Sequence, residues 1–181
     1  MADVVEVIKA QHRRIDQLLD QAQQEGADVG SLVQQVADLL IPHSEAEEDF
    51  VYPTIRAKAS DAGDDVQDGV AEHHHIEDML RSLLAQEPGD PGYDGTLAAL
   101  TGELRHHVEE EEQELLPLLE EKASSDELAR MGERFEQATT GGSSGSGGDE
   151  PTRDELYEKA KEQDVPGRSS MTKDELKDAV D

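Results

Sequence analysis

Two stretches of this chain set a histidine four residues ahead of a glutamate, His43 with Glu47 and His107 with Glu111. On an α-helix that spacing puts both side chains on one face, about 40° apart around the axis, which is a metal-ligand spacing. The flanking residues repeat too. At an offset of 64, His43-Ser44-Glu45-Ala46-Glu47-Glu48 through Pro53 matches His107-Val108-Glu109-Glu110-Glu111-Glu112 through Pro117. Two further histidines interrupt apolar helical seams: His12 among Val5, Ile8, Ile15 and Leu19, and His73 among Val66, Gly69, Ile76 and Leu80. At an offset of 61, His12 matches His73 and Ile15 matches Ile76.

Taken singly, a seam histidine is an ordinary hydrogen-bonded core residue, and a glutamate-rich run is an ordinary solvated face. The joint pattern is different. Glutamates turned into a bundle core each cost several kcal/mol unless something compensates them, and a pair of cations would do so. Imidazoles and carboxylates with no thiolate suit iron or manganese, with zinc next. Each glutamate can bridge two ions, as in carboxylate-bridged bundle sites. These donors do not fill two octahedral shells, so open positions remain for water or a small reactant.

The elements that must position these residues are helical. Asp3 suits the N-cap of a first helix reaching about residue 24, and Glu25-Gly26-Ala27-Asp28 ends it. A second helix runs from about residue 30 to 59, with Pro42 and Pro53 able to kink or open it. A third spans about 64–86 and repeats the first; Glu87-Pro88-Gly89-Asp90-Pro91-Gly92 is a loop; a fourth spans about 93–122. A duplicated helical hairpin makes an all-α, up-down-up-down four-helix bundle.

A short fifth helix, about 126–138, completes a first domain of residues 1–138. Residues 139–150 read as a flexible Gly/Ser linker. Residues 151–181 read as a small helix-loop-helix module whose core is Leu156, Tyr157, Ala160, Val165, Met171, Leu176 and Val180, with Thr172 and Glu175 as a capping box.

The chain has 44 acidic against 16 basic residues, a formal charge of −28, and no cysteine. That charge opposes contact with nucleic acid or an anionic membrane and suits cations. Without cysteine there is no thiolate ligation and no disulfide. With no basic-then-apolar leader and no long apolar run, the expectation is a soluble cytoplasmic protein.

Residues 1 to about 122 resemble the hemerythrin-like, His-His-Glu cation-binding family, through Gln11-His12-Arg13-Arg14-Ile15, His43 through Pro53, Glu72-His73-His74-His75-Ile76 and His107 through Pro117. The resemblance implies two iron ions with a bridging oxo or hydroxo group. It carries ligand roles onto His12, His43, Glu47, His73, His107 and Glu111. Oxygen-carrying members place His-x-x-x-His on the third helix; here that spacing gives His73 and Glu77, which makes Glu77 a candidate additional ligand and disfavours reversible oxygen carriage.

His74 and His106 sit about 100° around from their neighbours, in a supporting or surface position, and His75 faces solvent. An alternative register pairing His74 with Asp78 and His106 with Glu110 breaks the repeat. Tyr52 and Tyr93 are the candidate phenolates; Tyr52 is nine residues from His43, opposite it on an ideal helix, so only a kink at Pro42 would bring it in. The tail resembles a Rho N-terminal or SAP-like module, through Leu156-Tyr157-Glu158-Lys159-Ala160 and Val165 through Leu176. Such modules often bind nucleic acid, but this one counts nine acidic against six basic residues, so a protein-docking or simple appendage role is at least as well supported.

The first functional expectation is a di-iron protein that meets peroxide, O2 or nitric oxide, with catalase-like peroxide removal leading. The alternative is an iron, oxygen or redox sensor signalling through the tail.

Overall fold

The computed structural model describes residues 2–59, 61–140, 153–163, 165, 171 and 173–180. The described residues are helical throughout their regular structure: α1 Val4–Ala22, α2 Val29–Ala46, α3 Tyr52–Lys58, α4 Gly63–Leu84, α5 Tyr93–Glu110, α6 Leu116–Lys122, α7 Ser125–Thr140, α8 Arg153–Glu162 and α9 Lys173–Val180. Asp3 caps α1 as expected, and Glu6 closes the capping box by accepting from the Asp3 backbone. α1 packs on α2, α4 on α5, and α2 on α4.

The second and fourth arms of the bundle are not continuous α-helices. A π-helical turn, Glu47–Val51, separates α2 from α3, and a second, Glu111–Leu115, separates α5 from α6. Each is closed by a backbone bond spanning five residues, from the Tyr52 amide to the Glu47 carbonyl and from the Leu116 amide to the Glu111 carbonyl. The cause is the proline that follows each turn. Pro53 and Pro117 have no N–H to give the carbonyl four residues back, so the ladder widens there. Pro42, in contrast, lies inside α2, which runs on past it to Ala46.

The apolar residues divide into two clusters along the bundle. One gathers Ile8, Val51, Tyr52, Val70, Leu115 and Leu116 with Leu128 and Phe135 of α7. The other gathers Ile15, Leu40, Ile76, Leu100 and Leu104 with Tyr93. Each seam histidine falls between them: His12 between Ile8 and Ile15, His73 between Val70 and Ile76. A polar layer therefore crosses the bundle between two dry cores, and those cores fix its height. Tyr93 belongs to the second core and lies away from that layer.

α7 closes the bundle against α1 and α2. It extends to Thr140, two residues into the stretch expected to be linker. The rest of that linker, the capping residue Thr172 and the turn Pro166-Gly167-Arg168 lie outside the described residues. Leu156, Ala160, Leu176 and Val180 form a separate small core in the tail, with Tyr157, Val165 and Met171 against it, the residues the sequence assigns to it.

Candidate metal centre

The polar layer collects His12 from α1, His43 from α2, His73 from α4 and His107 from α5, all buried. Their Nε2 atoms meet in two pairs, His12 with His43 at 3.1 Å and His73 with His107 at 3.0 Å. Glu47 stands between the pairs. Its Oε1 is 3.1 Å from His43 Nε2 and its Oε2 is 3.3 Å from His73 Nε2. Glu111 Oε2 lies 3.3 Å from His12 Nε2. Two donor groups result, His12–His43–Glu47 and Glu47–His73–His107, each with its ligand atoms within 4.8 Å of one another.

The opposite edge of every ring is held from outside. His12 Nδ1 is 2.9 Å from Glu112 Oε1, His43 Nδ1 is 3.0 Å from Gln11 Oε1, His73 Nδ1 is 3.0 Å from Glu48 Oε1, and His107 Nδ1 is 2.9 Å from Glu72 Oε2. Carboxylate and amide oxygens only accept, so each Nδ1 carries the proton and donates. A neutral imidazole then turns a bare Nε2 lone pair inward, the tautomer a metal needs. Gln11 is aimed in the same way, because its Nε2 donates to Thr139 Oγ1 of α7 at 2.8 Å.

These four supporting residues are the part that sequence reasoning missed. Each sits next to a candidate ligand: Gln11 and Glu72 precede His12 and His73, and Glu48 and Glu112 follow Glu47 and Glu111. The internal repeat was the available signal, since both members of each pair occupy matching positions.

Burial and mutual repulsion dominate the electrostatics. Glu47 is fully buried, and burial together with the Glu111 charge lifts its carboxyl to about 7. Burial works against a charged His12, yet the Glu111 and Glu112 carboxylates beside it overcome that and raise the imidazole to about 10. His73 is pushed down to about 4 by burial and by His107. Both oxygens of Glu47 and of Glu111 are buried without a hydrogen-bond partner. Converging imidazole Nε2 atoms and buried carboxylates fit a cation pair, which would take the place of the protons on His12 and Glu47.

Tyr52 reaches this layer, and a kink at Pro42 is not the reason. The π turn at Glu47–Val51 adds a residue to the helix and swings Tyr52 round, so that its Oη lies 3.4 Å from His73 Nε2. Burial and the charges of Glu111, Glu47 and Glu48 keep the phenol well above its ordinary pKa.

Glu77 is buried but set against Arg81, whose Nη2 is 3.3 Å from its Oε2, and it stands apart from the two donor groups. His74 is buried with its Nε2 3.9 Å from Glu48 Oε2, a supporting position. His75 is exposed. His106 is also on the surface, 3.4 Å from Glu110.

Two spaces flank the layer on the α1–α5 side. A groove of about 500 Å3, bordered by Arg13, Asp16, Leu104, Arg105, Val108 and Glu112, reaches His12. Behind Leu104 and Val108 lies a space of about 10 Å3 among His12, His43 and His107. That holds about one water-sized molecule.

Over 138 residues the chain is 24% identical to a protein of Nostoc sp. (strain PCC 7120) described as a DNA nickase, covering 75% of this chain and 39% of that one. Over 99 residues it is 29% identical to an uncharacterised hemerythrin-like protein of Schizosaccharomyces pombe, covering 54% of this chain and 49% of that one. The chain thus spans between two-fifths and half the length of these curated relatives. No solved structure gives a significant match. The hemerythrin HHE cation binding domain matches residues 3–119, most of the chain, and the protein belongs to that family.

Proposed function

We propose that the layer holds two iron ions and that the protein removes peroxide, disproportionating it to water and O2. The observation that carries this reading is Glu47, whose two oxygens reach the two imidazole pairs separately. His12, His43, His73 and His107 would supply nitrogen to the ions, and Glu47 and Glu111 would supply carboxylate oxygen. Iron bound there would supply a two-electron couple, so that one peroxide is reduced and a second oxidised with no organic cofactor.

The chain's own residues do the rest. Gln11, Glu48, Glu72 and Glu112 hold the rings in register. Leu104 and Val108 keep bulk water off the His12–His43 side, and the space behind them leaves room for only the smallest molecules. Glu112 stands beside the groove with its side chain about one-third exposed, a position from which it can exchange protons with solvent. The nickase activity stays with the Nostoc protein; a formal charge of −28 gives DNA phosphates little to bind.

The test is metal content and the ultraviolet–visible spectrum of the purified chain, beside His107→Ala, followed by a peroxide assay. Two irons per chain, an iron spectrum lost in the variant, and peroxide consumption with O2 release are the expected results. An iron-loaded protein that leaves peroxide untouched would remove the enzymatic reading.

A second reading, a sensor, is favoured by one contact. The Tyr157 ring of α8 lies 5.5 Å from the His74 ring, edge to face, and His74 neighbours Glu48, which holds His73. Removing residues 141–181 separates the two. An enzyme keeps its turnover, whereas a sensor loses its output and keeps its metal.

A further inference from the structure

The two halves of the repeat differ at one face. On α4, Asp65, Asp68, Gly69 and Glu72 follow a helical stripe, and opposite them His107, Glu110, Glu111 and Glu114 follow the same spacing through α5 and its π turn. Together they line a cleft of about 120 Å3. In the first half Gln11, His43 and Glu47 match Glu72, His107 and Glu111, but the other matching positions are Val4, Val7, Ile8, Ala46, Phe50 and Val51, a dry seam covered by α7. Four of the cleft's six carboxylates, Asp65, Asp68, Glu110 and Glu114, stand where the first half has Val4, Val7, Ala46 and Phe50. A general excess of acidic residues does not explain that contrast.

The inner end of the cleft is Glu111, 1% exposed, with neither oxygen hydrogen-bonded. On the outer side, Glu72, His106 and Glu110 each bring one donor atom to within 4.8 Å of the others. The side chains of His106 and Glu110 are 59% and 49% exposed. Glu72 belongs to both ends: it lines the cleft and also accepts from His107 Nδ1. A continuous set of oxygen and imidazole donors therefore runs from solvent to the buried layer.

We propose that the α4–α5 cleft is the route by which divalent cations enter, and that Glu72, His106 and Glu110 form a capture site at its mouth. The inference rests on the two-metal reading above. Carboxylate oxygens and one imidazole suit ferrous or manganous ions. Three donors open to water hold such an ion loosely, as a transfer site requires. The carboxylates of the low-dielectric cleft draw it inward, and such focusing raises association rates tenfold or more. The groove at α1–α5, which reaches His12 beside Leu104 and Val108, offers a separate way in for the small reactant.

The experiment mixes metal-free full-length protein with ferrous ion under anaerobic conditions and follows uptake by stopped flow. In the variant carrying His106→Gln and Glu110→Gln, both exposed positions, uptake is expected to slow about tenfold. The final iron content and spectrum should match the wild type. Glu103→Gln with Glu120→Gln removes charge elsewhere and should leave the rate unchanged. Manganous ion alone should give a weak extra site by electron paramagnetic resonance, absent in the cleft variant. Uptake at the wild-type rate in the cleft variant, or equal slowing in the control, would overturn the route while leaving the central site standing. A wild type that takes up no metal would overturn both.

Discussion

Tyr52 lies flat against His73, ring centroids 5.4 Å apart and planes 10° apart, with its hydroxyl 3.4 Å from His73 Nε2. The matching residue in the second half is Leu116, which carries no oxygen. The two donor groups are therefore unequal, and only the His73–His107 side has a phenol beside it. In the iron-loaded protein we expect a visible phenolate-to-iron band that Tyr52→Phe abolishes without changing the iron count; identical spectra would rule out direct ligation. Gly69 tests the same contact without touching the phenol. A Cβ there would come within 3.1 Å of Tyr52 Oη, so Gly69→Ala should shift the band and cost about 1–3 kcal/mol on melting.

Metal binding should release protons, and the pH range follows from Glu47. Burial and Glu111 hold its carboxyl up to about 7, above the ordinary glutamate value. A cation needs the Glu47 carboxylate and an unprotonated His12 Nε2, so affinity should rise as pH increases through about 7 and on toward about 10, and weaken below. For metal-free stability the sign is opposite: a raised carboxyl stabilises the fold below its unfolded pKa and loses that contribution as pH climbs to about 7. Titration calorimetry in buffers of different ionisation enthalpy measures the release. Glu47→Gln should reduce it, and an unchanged proton count would place the proton elsewhere.

α7 should matter to the metal site although it contributes no candidate ligand. It approaches α1 so closely at Gly132 that a Cβ would stand 2.6 Å from the Ala2 carbonyl oxygen and 3.0 Å from the Val4 amide nitrogen. Backbone cannot yield as a side chain can. Gly132→Ala should lift the helix, cost about 1–3 kcal/mol, and loosen the Thr139–Gln11–His43 chain of hydrogen bonds. The measurements are the melting temperature and the rate at which a chelator strips the metal. A variant that melts early yet holds metal normally would show that α7 supports the fold alone.

The sequence made the bundle and its polar layer legible because both follow from periodicity. His12 and His73 break apolar seams that are otherwise regular, and the offset between His43 and His107 repeats every neighbour that matters. Tyr52 reads as opposite His43 on an ideal helix, and those angles fail across a π turn, although Pro53 and Pro117 mark where the ladder must widen. The roles of Gln11 and Glu48 are not legible for a different reason. Their neighbours on other helices decide whether they hold a ring or face water, and no single helix reveals that. The acidic cleft needed both halves side by side, since Asp65 has meaning only against Val4.

Removing the metal should destabilise the bundle at its middle. The layer separates two dry cores, so the repulsion between Glu47 and Glu111 has no solvent to dissipate it. Ions at roughly a thousand times their dissociation constant would add about 4 kcal/mol. For a chain of this length that corresponds to a melting shift on the order of 10 °C. Scanning calorimetry with and without chelator measures it, and coincident melts would leave a bundle that needs no metal. A second variant separates metal loss from general weakening. Glu47→Leu with Glu111→Leu replaces two buried carboxylates by apolar groups, an exchange often neutral or stabilising. That variant should ignore the chelator and melt above the stripped wild type. If it melted below, the carboxylates would be contributing to the fold through contacts other than a cation.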